Sequence, residues 1–463
     1  MKIKILANHK YIDEIQTIAQ IFFPHTGFCY ADEKTDHIII SKIEGGKVYC
    51  DVIINNKSYG HYSLKLNDQP FYLNEKRLVM LVLFYILKNE LTTYTPWGAL
   101  TGVRPTKMVR EWLENGQNDA QVITILKNVF YVKEDRAQLA IDVAHSENRV
   151  AARIPGDYIG IYVSIPFCPS RCIYCSFNTE SKPLSIEMQE LYIKTLVKEC
   201  SRLPQKNISS IYIGGGTPTA LCDHLLEELL DALPNINGEF TVEAGRPDTI
   251  TRSNLALMRK RGVNRISINC QTLNNSTLEK IGRKHTVHDF YRAFEMAREE
   301  GFDCINTDII AGLPNEGPKD MERTMEGLVS LSPENITIHT LAVKRASKLN
   351  EHRIVKKLDY PIPQVFDIEA QLKIAHNMCL DRGMEPYYLY RQKNMAALFE
   401  NTGYSVPGKE CIYNIGMMSE IQTVLGVGAG AVSKYIEGTK ITRNFNPKNL
   451  ELYIKNMERR TIT

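Results

Sequence analysis

The stretch Ile159-Gly-Ile-Tyr-Val-Ser-Ile165-Pro-Phe-Cys168-Pro-Ser-Arg-Cys172-Ile-Tyr-Cys175 decides how the rest of the chain is read. Its first seven residues form a continuous apolar run, the pattern of a strand buried on both faces. Pro166 and Pro169 end that strand and turn the chain into a loop. The loop carries cysteines at C-x3-C-x2-C. Three thiolates can hold three irons of a four-iron cluster and leave the fourth without a protein ligand. An open coordination position is what a metal needs to bind and activate a small molecule. A structural zinc ion would want a fourth ligand, yet no Cys or His follows Cys175 until Cys200, inside a predicted helix. Cysteines that merely fill a core would not gather in a Pro-rich loop. The spacing therefore favours a cluster over zinc and over three unrelated thiols.

Downstream of this loop, strands and helices alternate. Strands are predicted over Ile159–Ile165, Ile208–Ile213, Glu239–Ala244, Arg265–Asn269, Cys304–Ile310 and Asn335–Leu341. Helices are predicted at about 186–202, 221–233, 251–261, 286–301, 318–331 and 364–382. Apolar strands joined by helices imply a parallel sheet with right-handed crossovers. Pattern alone allows an open barrel or a doubly wound sheet. In both, ligands gather at the C-terminal strand ends. The second strand runs into Gly214-Gly-Gly-Thr-Pro-Thr219, where glycines let backbone approach a ligand. A plain tight turn is the alternative, and G-x-G-x-x-G is absent. Strands three to five end near Glu243, Gln271 and Asp308, three polar residues at successive strand ends. Arg283 could pair with a carboxylate through its planar fork. His285, His288 and His339 are read as structural.

Upstream, residues 1–70 alternate in short runs (Lys2–Ala7, His37–Ser41, Lys47–Ile54, Tyr59–Leu66) and predict a small antiparallel sheet with a helix around Tyr11–Phe22. From Asn74 to about Ala151 the period is helical. Between those helices lies Thr95-Pro-Trp-Gly-Ala-Leu-Thr-Gly-Val-Arg-Pro105, whose Trp97, Arg104 and nearby Lys107 would either face an anionic flat ligand or form a structural connection with solvated charges. Arg153–Asp157 marks the best domain boundary.

The chain has 463 residues, enough for two or three domains. Its 56 basic and 53 acidic residues nearly balance, which argues against an extended nucleic-acid surface. The apolar run Leu78–Leu87 is half the length of a membrane span, and the first residues do not read as a signal peptide. Eleven cysteines without a paired framework fit a reducing compartment, so a cytoplasmic protein is expected.

The cysteine loop and its preceding strand resemble the radical S-adenosylmethionine (SAM) enzymes, in particular the oxygen-independent coproporphyrinogen III oxidase group. That resemblance runs from about Tyr158 to about Ser433. Three further segments look like its HemZ subgroup: Trp97–Lys107, Tyr387-Tyr-Leu-Tyr-Arg-Gln-Lys-Asn394 and Pro407-Gly-Lys-Glu-Cys-Ile-Tyr-Asn414. It implies an α/β fold with a partial (β/α)6 TIM-type barrel at 153–345, an N-terminal α+β domain at 1–152 and a C-terminal α-rich region at 346–463 that covers the substrate. It also implies a 4Fe-4S cluster on Cys168, Cys172 and Cys175, and one or two SAM molecules. Tyr162, Tyr174, Gly215, Gly216, Thr217, Glu243, Gln271, Arg283, Asp308 and Ala342 would line SAM.

The implied reaction starts from a 5′-deoxyadenosyl radical that takes hydrogen from a propionate of coproporphyrinogen III. Loss of an electron and CO2 then leaves a vinyl group, and two rounds give protoporphyrinogen IX. A one-electron donor such as flavodoxin or ferredoxin is expected. The chain departs from the well-studied oxidases at Phe177, where they have a further cysteine. Haem-trafficking relatives share that replacement, so a haem-binding chaperone is one rival; an enzyme acting on another tetrapyrrole is the second. Lys344–Lys348, Arg391, Lys393 and Lys409 would either meet propionates or form a solvated face.

Overall fold

The computed structural model describes residues 1–24, 26–29, 34–67, 69–175, 184–344, 347–351, 361–392, 395, 397–438 and 440–459. Phe177, Arg345 and Lys393 lie outside the described residues. The chain falls into two compact units, Met1–Ile141 and Asp142–Thr463. The division lies within the helix Glu134–Ala151, ahead of the Pro-Gly boundary expected from sequence, because a continuous helix carries the chain from one unit to the other.

The first unit holds β1 (Lys2–Ala7), β2 (Gly27–Cys29), β3 (Ile38–Glu44), β4 (Lys47–Ile54) and β5 (Lys57–Lys65) in the order β2-β1-β3-β4-β5. This sheet is mixed rather than antiparallel. The helix Ile12–Phe22 crosses over after β1, so β1 pairs parallel with both β2 and β3, while β3, β4 and β5 form meandering hairpins. Helices Glu75–Glu90, Pro105–Glu114 and Asp119–Asn128 complete the unit. Trp97 is buried, and the carbonyl of Phe130 accepts from the Ala99 N–H at 2.8 Å. Its ring is therefore core and is not presented to a ligand.

The second unit is built on eleven strands. Six follow one another in space as in sequence: β6 (Ile159–Ile165), β7 (Ile208–Gly215), β8 (Glu239–Glu243), β9 (Arg265–Ser267), β10 (Ile305–Ala311) and β11 (Asn335–Thr340). All their pairings are parallel. A doubly wound sheet reverses strand order at a switch point; this one never does, which makes it the partial barrel. Between the strands lie helices Ile186–Cys200, Asp223–Asp231, Arg252–Lys260, Val287–Glu299 and Pro318–Leu331, each within two or three residues of its expected bounds.

The region after 346 contributes strands beside its helices. β12 (Glu385–Tyr390) and β13 (Asn401–Ser405) extend the sheet beyond β11, and β14 (Val424–Val427), β15 (Val432–Glu437) and β16 (Lys440–Phe445) extend it beyond β6. Beside its helices, the tail therefore covers both edges of the barrel sheet with strands. Exposed edges of six buried parallel strands would otherwise invite pairing with another chain. No helix among the described residues is long and apolar enough to cross a membrane.

Candidate functional site

At the C-terminal ends of β6 to β11 the second unit opens into a cleft. The loop after β6 forms one wall with Cys168, Cys172, Tyr174 and Cys175. Gly215, Gly216 and Thr217 enter from the end of β7, and Glu243 from the end of β8. Gln271, Arg283, Asp308 and Ala342 complete the set expected from the resemblance, apart from Tyr162. Tyr162 lies one layer beneath the cleft, stacked against Tyr413 at 5.9 Å and Tyr212 at 6.3 Å.

The loop is pinned by two groups. The Thr217 hydroxyl lies 3.3 Å from the Cys168 sulfur. Arg246 donates to the Ser170 carbonyl at 3.2 Å and to its hydroxyl at 2.9 Å, and its guanidinium reaches the Cys172 sulfur at 3.8 Å. Asp248 holds Arg246 in that position at 3.1 Å. Burial pushes the Cys168 thiol up, and the Thr217 hydroxyl and the Arg246 charge oppose that rise. Among the described residues no three His, Cys, Asp or Glu side chains converge as they would on one metal ion. Three cysteines on one loop at the cleft wall are a donor set that suits a cluster, each thiolate binding a different iron.

The three glycines also hold the cysteine loop in place. A Cβ on Gly216 would lie 2.3 Å from the Phe167 carbonyl, and one on Gly214 would lie 2.7 Å from the Glu243 carboxylate. Gly215 has φ +100°, which disfavours a side chain. The N–H groups of Gly215, Gly216 and Thr217 are consumed within the protein. Gly216 donates to Ile165 O at 2.6 Å, Thr217 to Phe167 O at 2.9 Å and Gly215 to Glu243 at 3.2 Å. Close approach is used, then, to seat the cysteine loop on the β7 turn.

The carboxylates differ in their surroundings. Burial pushes the Glu243 carboxyl up to about 7, with the nearby Asp308 charge adding to it and the Tyr212 hydroxyl, at 2.5 Å, opposing it. Burial also pushes Asp308 up, but His339 at 3.6 Å and the Asn306 amide at 2.8 Å outweigh it and hold that carboxyl below its ordinary range. Gln271 sits at φ +69°, a region few non-glycine residues occupy. There its N–H reaches Asp308 O at 2.9 Å, after β9 has already ended at Ser267. Arg283 donates to Gly245 O at 2.6 Å and to the Tyr174 hydroxyl at 3.3 Å, so its fork holds backbone and the cysteine loop.

Several cleft residues were not singled out from sequence: Arg171, Arg246, Asn269, Tyr390, Gln392 and Asn401. Arg246, three residues beyond Glu243 in a Gly-Arg-Pro turn, carried the only local signal. His339, read as structural, lines the cleft, while His285 is buried outside it and His288 is exposed. Lys344 also reaches the wall. Arg391 does not. Just past the end of β12, Arg391 turns into the protein and donates to the Leu398 carbonyl at 3.4 Å, while Tyr390 and Gln392 line the cleft. Lys409 lies at the opposite end of the barrel, where its carbonyl accepts from Arg265 at the start of β9 and its amine lies 3.3 Å from Asp303.

The family model described as the radical SAM superfamily matches residues 162–328. The chain is 34% identical to the oxygen-independent coproporphyrinogen-III oxidase-like protein HemZ of Bacillus subtilis (strain 168), over 100% of this chain and 96% of that protein. It is 32% identical to the haem chaperone HemW of the same organism, over 62% of this chain and 73% of that one. Among solved structures, the coproporphyrinogen III oxidase HemN of Escherichia coli superposes with a TM-score of 0.53 at 22% identity, covering 68% of this chain and 72% of its own. That likeness is one of fold. The cysteine loop at the first strand end, the ordered six-strand barrel and the full-length match agree: the chain belongs to the radical SAM superfamily, in its HemN/HemZ/HemW group, whose members use a 4Fe-4S cluster and SAM.

Proposed function

We propose that this protein is a radical SAM oxidoreductase that converts propionate side chains of coproporphyrinogen III to vinyl groups, giving protoporphyrinogen IX. The observation that carries this reading is coverage. The HemZ relative matches the whole chain, including residues 1–150, whereas the HemW match takes in 62% of it.

Cys168, Cys172 and Cys175 would hold the cluster, and Glu243, Gln271 and Asp308 would take the polar groups of SAM. Bound together, cluster and SAM supply hydrogen-atom abstraction from an unactivated carbon. The chain's own part is binding, orientation and exclusion of water. Lys344 and Arg171 bring positive charge to the cleft wall where propionates would enter. Ile310 and Leu341 give it an apolar floor. Tyr390 and Gln392 replace Arg391 as the residues of the Tyr387–Asn394 segment that face the substrate.

A second reading, a haem chaperone, is favoured by the HemW likeness and by Phe177 in place of a further cysteine. Anaerobic incubation of reconstituted protein with SAM, reductant and coproporphyrinogen III separates the two. The oxidase releases CO2 and yields products lighter by the carboxyl groups. Tight haem binding without CO2 release would overturn the oxidase reading.

A further inference from the structure

A low-potential cluster has to receive its electron from another molecule, and this chain presents a place for that molecule to dock. We propose that Lys280, Lys284 and Lys348 form the landing surface for an acidic electron-carrier protein, one whose flavin or iron–sulfur group lies near its own surface. The proposal rests on the cluster being held by the Cys168–Cys175 loop.

The loop is clamped between two segments. The Ile173 N–H donates to Ile281 O at 3.0 Å, and Leu349 N–H donates to Ile173 O at 2.8 Å. Ile173, Leu278, Ile281 and Leu349 bury their side chains in one cluster. Lys280 and Lys284, both exposed, bracket the first clamp, and Lys348 directly precedes the second. Cys168 and Cys175 are themselves only half-buried, so the loop lies close to the surface these lysines surround.

Charge here is one-sided. Across 168–175, 279–285 and 347–351 the basic residues that are not buried are Arg171, Lys280, Lys284 and Lys348, against Glu279 and Glu351. The whole chain, by contrast, carries 56 basic and 53 acidic residues. A local excess of this kind attracts an acidic partner and raises its encounter rate about 10-fold to 1000-fold at low salt. None of the three lysines lines the cleft, whereas Arg171 and Lys344 do. A carrier protein seated on them would leave the way open for SAM and substrate.

The test is stopped-flow reduction of the reconstituted cluster by a reduced flavodoxin, an acidic flavoprotein, at rising ionic strength. In the unmodified protein the rate falls about tenfold or more as salt screens the contact. In Lys280→Glu/Lys284→Glu it is about tenfold slower at low salt and loses its salt dependence. Lys280→Gln/Lys284→Gln lies between the two, which guards against misfolding of the double reversal. Reduced methyl viologen, a small cation, reduces the cluster in all three proteins no more slowly than in the original. Equal flavodoxin rates in the original and charge-reversed proteins, or an original rate indifferent to salt, would overturn the proposal. A protein that viologen cannot reduce at all would instead remove the cluster on which it rests.

Discussion

Asp308 on β10 and Glu243 on β8 face the same cleft with β9 between them yet differ in state, and that difference can be measured. Asp308 is held charged by His339 and Asn306, so Asp308→Ala is expected to keep its iron and to weaken SAM binding by about 1.5–3 kcal/mol, the scale of a hydrogen bond to a charged group. Calorimetry showing unchanged affinity would remove Asp308 from the SAM site. Glu243 is raised to about 7, so it is largely neutral at pH 6 and largely ionised at pH 8. The carboxylate is the form that attracts the cationic end of SAM. Affinity should therefore climb as pH rises through 7, and in Glu243→Gln the rise should vanish. An unaltered pH profile in that variant would place the titrating group elsewhere.

At the scale of single elements, the turn after β7 and the loop after β6 form one interlocked piece. Gly216 permits this, because a Cβ there would meet the Phe167 carbonyl at 2.3 Å. Backbone cannot yield as a flexible side chain does, so Gly216→Ala should displace the cysteine loop. We expect the variant to fold, by circular dichroism, but to take up much less iron on anaerobic reconstitution. Gly156→Ala, where nothing lies within 4 Å, serves as the comparison and should load normally. Full iron content in Gly216→Ala would show that the loop is seated by something other than this turn.

Across the whole second unit, the Pro407–Asn414 segment closes the barrel base, at the end opposite the cleft. Glu239 at the start of β8 accepts from the Ile412 N–H at 2.8 Å, the Tyr413 N–H at 3.1 Å and the Cys411 sulfur at 3.1 Å. Arg265 at the start of β9 and Asn335 at the start of β11 both donate to the Lys409 carbonyl, at 2.6 and 2.8 Å. Tyr413 then enters the interior and stacks on Tyr212 at 4.4 Å, directly beneath Glu243. Glu239→Ala strands two backbone N–H groups, so it should cost about 1.5–3 kcal/mol of stability. Denaturant melts read that cost, and SAM affinity per folded molecule should hold. A change in affinity at unchanged stability would mean that the base reports to the cleft.

The sequence alone determined the barrel's parallel strands and helices, because buried β-branched runs and amphipathic stripes are local patterns. It also marked the cysteines proposed as cluster ligands, since thiolate spacing within one loop needs no distant partner. Tertiary structure decided the rest. Strand order, visible only once neighbours pair, separated a barrel from a doubly wound sheet. The parallel β1–β3 pairing depends on a crossover that alternating runs do not encode. A contact with the Leu398 carbonyl holds Arg391 in the protein, while Tyr390 and Gln392 reach the cleft. Lys409, close in sequence to cleft-facing segments, was carried to the far end of the barrel by hydrogen bonds to strands more than a hundred residues away. Charge and motif mark what a residue can do; the end of the barrel on which it lies is set by contacts distant along the chain.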